Sequence, residues 1–227
     1  MIEGSPGGGD SGLSRPQGPV SRETRISEPE GLSAAAERAG VELSEGASSG
    51  LERFEELLRE RALPAGLVAA ADAGRLRERH ILDSLRAVRA LRPGDGRALD
   101  LGSGAGLPGV VVAIARPTLQ VVLVEPRRAR VAFLELAVEH LRLPNVSVLA
   151  ARIEDVDEQV DLCFSRAFAP LPEAWRAAAP RLREGGRLVY FAGAGAEPPE
   201  PPTDASAVKV LESPLLESSG PLFIMTR

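Results

Sequence analysis

One stretch limits the fold more than any other: Leu99-Asp100-Leu101-Gly102-Ser103-Gly104-Ala105-Gly106-Leu107-Pro108-Gly109. An apolar strand runs into a glycine turn, and the turn opens a helix. Glycines at 102, 104 and 106 allow positive φ and let a ligand come close to the backbone. Pro108 suits the first turn of a helix, where its missing N–H costs little. Alone, the turn is compatible with nicotinamide, flavin and nucleoside ligands alike.

The chain around it alternates strand and helix. Strands are expected at Arg97–Leu101, Gln120–Glu125, Val146–Ala150, Asp161–Ser165 and Arg187–Phe191, with helices at Leu107–Ala115, Arg127–Leu141 and Pro172–Leu182. Continuous apolar strands in βα units mean a mainly parallel sheet covered on both faces. Residues 194–205, rich in Pro and Glu, read as a loop. Val208–Leu211 and Leu222–Thr226 read as an antiparallel hairpin turning at Ser218-Ser219-Gly220. The fold class is therefore α/β and Rossmann-like: seven mostly parallel strands, a C-terminal antiparallel hairpin and helices on both faces. A dinucleotide-binding dehydrogenase has two parallel halves instead.

Three regions are expected. Residues 1–49, rich in Gly, Ser, Pro and Glu, form a disordered leader with a weak helix near Leu32–Ala39. Residues 50–93 are helical: Leu51, Phe54, Leu57 and Leu58 recur at helical spacing before Pro64, and a second helix covers Arg75–Leu91 with Leu76, Leu82, Leu85 and Val88 inward. Residues 94–227 carry the sheet.

Composition excludes several classes. Hydrophobic residues are 44% and charged residues 26% of 227, as in soluble globular chains. The longest apolar run, Val110–Ala115, is far below the roughly 20 residues a bilayer needs. No basic-then-apolar signal pattern opens the chain, so a cytoplasmic location is expected. Cys163 is the single cysteine and His80 and His140 the only histidines, so no disulfide framework and no metal site are expected. Net charge is −5. Yet Arg75, Arg77, Arg79, Arg86, Arg89 and Arg92 stand against only Glu78 and Asp83, so this stretch is either a local basic face or simply a solvated helix surface.

The candidate ligand site lies at the strand ends. Asp100 can hold the glycine turn or face a cationic ligand. Glu125, ending the second strand, can accept both hydroxyls of a ribose or stabilise the following helix N-terminus. An intact ribose without a pyrophosphate suits S-adenosylmethionine, while a nicotinamide cofactor is the weaker alternative. Ile153 can pack on an adenine face with Glu154 beside it, or Glu154 can cap a helix. Arg166, at the end of the fourth strand, is costly to bury without a carboxylate or phosphate partner.

His80-Ile81-Leu82-Asp83-Ser84-Leu85, the loop ending Gly-Leu-Pro-Gly, and Ser165-Arg166-Ala167 with Phe168-Ala169, in this order, resemble the RsmG (GidB) family. Its members are bacterial class I methyltransferases that use S-adenosylmethionine to modify guanine N7 of 16S ribosomal RNA. The resemblance spans about residues 51–192. The resemblance places Gly102 and Leu107 against the cofactor, Ile153 and Glu154 near the adenine, Arg166 at the rim and Glu125 as the family's acidic strand end; with Asp100, Gly104 and Gly106 of the loop, these are the expected cofactor-binding residues. It places His80, Asp83 and Ser84 near the opening, where Asp83 and Ser84 either meet substrate or bond the glycine loop's backbone. Arg75, Arg77 and Arg79 would complete a positive rim for 16S ribosomal RNA or the small subunit. A monomer without metal is expected. No general base is needed, because guanine N7 carries a lone pair and no proton. The chain departs from the family at Gly66-Leu67-Val68, at Ala192-Gly193, and at the loop 194–205 where members carry a helix. A diverged cofactor-binding protein with another substrate is the alternative.

Overall fold

Alternation along the strands builds two cores, one on each face of a single sheet. Seven strands are hydrogen-bonded in the order β3-β2-β1-β4-β5-β7-β6, with β1 at Arg97–Leu101, β2 at Gln120–Val124, β3 at Val146–Leu149, β4 at Val160–Arg166, β5 at Leu182–Phe191, β6 at Ala207–Leu211 and β7 at Leu222–Thr226. In this computed structural model residues 31–212 and 219–227 are described, together with Met1. The first five strands run parallel, and β7 is antiparallel to both β5 and β6. The hairpin is therefore present, with its second strand inserted between β5 and its first. Ser218 of the expected turn lies outside the described residues.

Along β1, Ala98 faces one core, while Leu99 and Leu101 face the other. The first core takes α2 (Glu45–Leu57), α4 (Gly109–Ala115) and α5 (Arg128–Leu141). Every residue of α4 is buried, so it reads as an apolar run without a polar face. The second core takes α6 (Leu171–Ala178), whose Ala174, Trp175 and Ala178 face inward. Trp175 Nε1 donates to Asp204 at 2.8 Å and pins the loop 194–205 against that helix.

The leader boundary requires correction. Helix α1 (Leu32–Arg38) buries Leu32, Ala35 and Ala36, and Val41 and Ala47 join the same core. Helix α2 starts at Glu45, where Ser44 accepts from Ala47 N at 3.2 Å, a standard N-cap. Residues 31–49, expected in the leader, thus belong to the core-forming chain. Alanine-rich helices carry a faint apolar period, and glycines and serines on both sides hide it. Residues 2–30 of the expected leader lie outside the described residues.

The expected helix Arg75–Leu91 is a series of differently wound turns. A tight 3₁₀ stretch at Ala70–Arg75 leads into a wide π stretch at Arg77–Leu82, then α3 (Asp83–Leu85), then a 3₁₀ stretch at Arg86–Ala90. Leu76, Leu82, Leu85 and Val88 are inward as expected, but so are His80, Asp83, Ser84 and Arg86. Arg86 is 1% exposed, which removes it from any basic face.

Candidate active site

The chain runs outward from β1 to β2 and β3, then returns to the other side of β1 for β4. At that reversal the loops after β1 and β4 diverge and leave a crevice at the carboxyl edge, the usual place for a ligand in open α/β sheets. The loop after β1 supplies Gly102, Gly104 and Gly106, with φ of 65°, 58° and 84°. They do different work. A Cβ on Gly106 would lie 2.6 Å from Val110 Cγ2, so this glycine lets the loop close onto α4. A Cβ on Gly102 would lie 2.7 Å from the Phe168 ring. At Gly104 nothing comes nearer than Gly102 O at 3.8 Å and Arg130 Nη1 at 3.9 Å. That side of the loop is open.

Asp100 holds the turn. Its Oδ2 accepts from Gly109 N at 3.1 Å, and Ser103 Oγ donates to its carbonyl at 2.9 Å. Complete burial pushes the carboxyl up to about 7, with the Gly109 N–H and the Arg166 charge opposing. It is therefore not free to face a cationic ligand. Glu125 is likewise buried and engaged: Oε2 accepts from Gly104 N at 3.1 Å and meets Arg130 Nη1 at 3.4 Å, while Oε1 accepts from Arg127 N at 3.0 Å. It ties the glycine loop to the start of α5.

Two clefts open here. One, of about 200 Å³, is lined by Leu67–Ala69, Gly102–Ala105, Leu107 and Arg130. A larger one, of about 670 Å³, is lined by Arg79, Asp83, Tyr190–Ala194 and Ser219-Gly220. His80, Arg166 and Ala167 border both. Ala167 has φ of 54°, an uncommon backbone for a residue with a Cβ, and the chain turns sharply there after Arg166.

Arg166 is held through its Nε and Nη2. Its Nε donates to Asp83 Oδ2 at 3.1 Å, and its Nη2 donates to Arg79 O at 2.7 Å and lies 3.3 Å from His80 Nδ1. Asp83 also pairs with Arg86 Nη2 at 2.9 Å, and Arg86 Nη1 reaches Gly220 O at 2.6 Å. The carboxylate partner expected for Arg166 is thus Asp83. Neither Asp83 nor Ser84 bonds the glycine loop's backbone, and Ser84 is fully buried, away from the opening.

Other expected positions divide clearly. Gly102, Gly104, Leu107 and Arg166 line the smaller cleft. Asp100, Gly106 and Glu125 support its loop from behind. Ile153 is buried in the second core and Glu154 is exposed, and neither lines that cleft. Of the rim arginines, Arg79 borders the larger cleft and pairs with Asp72 at 3.3 Å, while Arg77 is bound to Glu55 at 2.8 Å. Arg75 is exposed and borders neither cleft. Sequence reading missed Arg130, Asp72 and the buried role of Arg86, and gave Phe168, which packs on Gly102, no role of its own. For Arg130 a signal existed: it lies in the first turn of α5, five residues after Glu125.

The profile of the rRNA small subunit methyltransferase G family (GidB) matches residues 47–205. The chain belongs to this family. The enzyme of that name from Thermobifida fusca is 45% identical over 148 residues, covering 64% of this chain and 62% of that protein. Its namesake from Acidiphilium cryptum is 41% identical over 196 residues, covering 85% of this chain and 82% of its own length. Among solved structures, a SAM dependent methyltransferase from Aquifex aeolicus superposes with a TM-score of 0.54 at 19% identity, covering 73% of this chain and 99% of the other. M. jannaschii TYW2 in complex with AdoMet gives 0.50 at 12% identity, covering 63% and 74%. At such identities these two show the fold, that of the class I methyltransferases. The family match sets the nicotinamide alternative aside.

Proposed function

We propose that the chain transfers a methyl group from S-adenosylmethionine to N7 of a guanine in 16S ribosomal RNA. The observation that carries this reading is the pair of adjoining clefts at the sheet reversal, one walled by the glycine loop and one open beyond Arg166. The residues fit the cofactor. Gly104 presents bare backbone to the smaller cleft, a cradle that a side chain would fill. Gly102–Ala105, Leu107 and Arg130 would hold the cofactor there, with Glu125 bracing the loop from behind. When bound, the cofactor supplies an electrophilic methyl on a sulfonium.

What the chain must add is alignment. Guanine N7 offers an in-plane lone pair and has no proton to lose, so a base is superfluous and placement at near-attack distance carries the rate. His80 is engaged on both ring nitrogens, in keeping with a holding role. Arg79 and Arg166 supply positive charge beside the larger cleft, suited to a phosphate backbone. The working form in this reading is a cytoplasmic monomer acting on the RNA or the small subunit. Among the described residues no helix is long and apolar enough to cross a membrane.

The test is mass spectrometry of 16S ribosomal RNA from a strain lacking the gene. One 7-methylguanosine should vanish and return with the restored chain. An unchanged nucleoside profile refutes the reading, and heat from S-adenosylmethionine binding without methyl transfer would favour a changed substrate.

A further inference from the structure

The contacts of His80 determine where its proton sits. Asp72 Oδ2 lies 3.1 Å from Nε2, and a carboxylate only accepts, so Nε2 must carry a hydrogen. Arg166 Nη2 lies 3.3 Å from Nδ1, and a guanidinium only donates, so Nδ1 must present its lone pair. The two neighbours together demand a neutral ring in one tautomer. That ring closes the ring of acceptors around Arg166, with Asp83 on its Nε and Arg79 O on its Nη2. Arg166 in turn forms the partition between the two clefts.

We infer that neutral His80, with its proton on Nε2, is a positioning residue that holds Arg166 between the clefts, and that protonation of the imidazole releases it. A second proton on Nδ1 would put N–H against N–H at a distance now closed by a hydrogen bond, and cation against cation. The charged groups around the ring come from three elements: Asp72 from the 3₁₀ stretch, Arg166 from β4 and Arg79 from its own turn. Asp72 favours the charged ring. Burial first, then Arg166, and more weakly Arg79, oppose it, and the balance holds the imidazole below its ordinary 6.5. The holding contact is therefore intact near neutral pH and fails on acidification.

Two measurements test this, the second resting on the function proposed above. First, nitrogen and carbon NMR of the free chain, with His140→Gln used to separate the two histidines, should show His80 protonated on Nε2 and titrating below 6.5. The Arg166 Nε–H signal, assigned through Arg166→Lys, should move with the same midpoint. A proton on Nδ1, or an Arg166 signal that stays still while His80 titrates, overturns the inference whatever the activity. Second, methyl transfer to unmethylated small subunits should show an acid limb in kcat with that midpoint. His80→Leu should lower kcat on the order of a hundredfold, the cost of a misplacement of about 1 Å. His80→Asn puts an amide oxygen at the Nδ1 position and should recover much of that loss with the acid limb gone. An acid limb surviving in His80→Asn refutes the switch, and equal losses in both folded variants refute the positioning role. A wild type that transfers nothing at any pH refutes the function, while the NMR arm still decides the placement.

Discussion

Replacing Asp100 by Asn should stabilise the protein, and more so as the pH rises. The carboxyl is 1% exposed, and its value in the folded chain is about 7 against an ordinary 3.8. This is the reverse of the usual paired carboxylate. The folded state binds the proton more tightly than the unfolded one, so this residue's contribution to stability is complete below about pH 3.8 and is lost as pH rises through about 7. Linkage between those two values removes about 2.5 kcal/mol between about pH 5 and pH 8.5. Asn keeps an acceptor for Gly109 N and has no charge to bury. Its advantage over Asp should therefore grow by about 2.5 kcal/mol across that interval, or roughly 5–10 °C in melting temperature for a domain of this size. Urea or thermal melts of both proteins at the two pH values measure it. Parallel pH dependences would refute the argument, and an advantage of the Asn variant over the parent that shrinks as pH rises would mean that Asp100 is charged and satisfied in the fold.

Other expectations are simpler. Leu32→Ala should cost about 2–5 kcal/mol in urea denaturation, because Leu32 is 1% exposed in the first core; a negligible cost would return residues 31–49 to the leader. Arg86→Met should cost about 3–5 kcal/mol by leaving Asp83 and Gly220 O short of a partner in a buried site, read from the same denaturation curves. Gly106→Ala should lower the melting temperature through its contact with Val110. Gly104→Val should cost only about 1–2 kcal/mol of backbone strain yet abolish the calorimetric heat of S-adenosylmethionine binding.

The sheet was legible because its strands are mostly short apolar stretches closed by Gly, Pro or charge, a signal that survives without tertiary information. The glycine loop was legible for the same reason. The winding at 70–90 was not: residues Leu76 to Val88 satisfy an ordinary helical period, which does not say where the turns widen and then tighten. Arg86 was misread because an arginine on a helix is usually solvated, and its carbonyl partner on Gly220 is 134 residues away. Ile153 and Glu154 illustrate another limit. Chain order places their loop at the right edge of the sheet, but not which side chain turns inward. Asp83 and Ser84 are adjacent in sequence, yet one binds Arg166 and the other is sealed in the interior.

The position of β7 has a consequence for the order of synthesis. Both β5 and β6 leave the ribosome before the strand that separates them, and β6 pairs with nothing else in the sheet. Until residues 222–226 emerge, Leu188 and Val189 sit on an open parallel edge, and Val208 and Val210 on a strand with no partner. Such edges invite pairing with other chains. The nascent protein is therefore most exposed to misassembly after five strands have formed and before the seventh arrives. Lys209, at the middle of the waiting strand, is the chain's only lysine, and a lysine on an edge strand is the kind of residue that discourages a foreign partner.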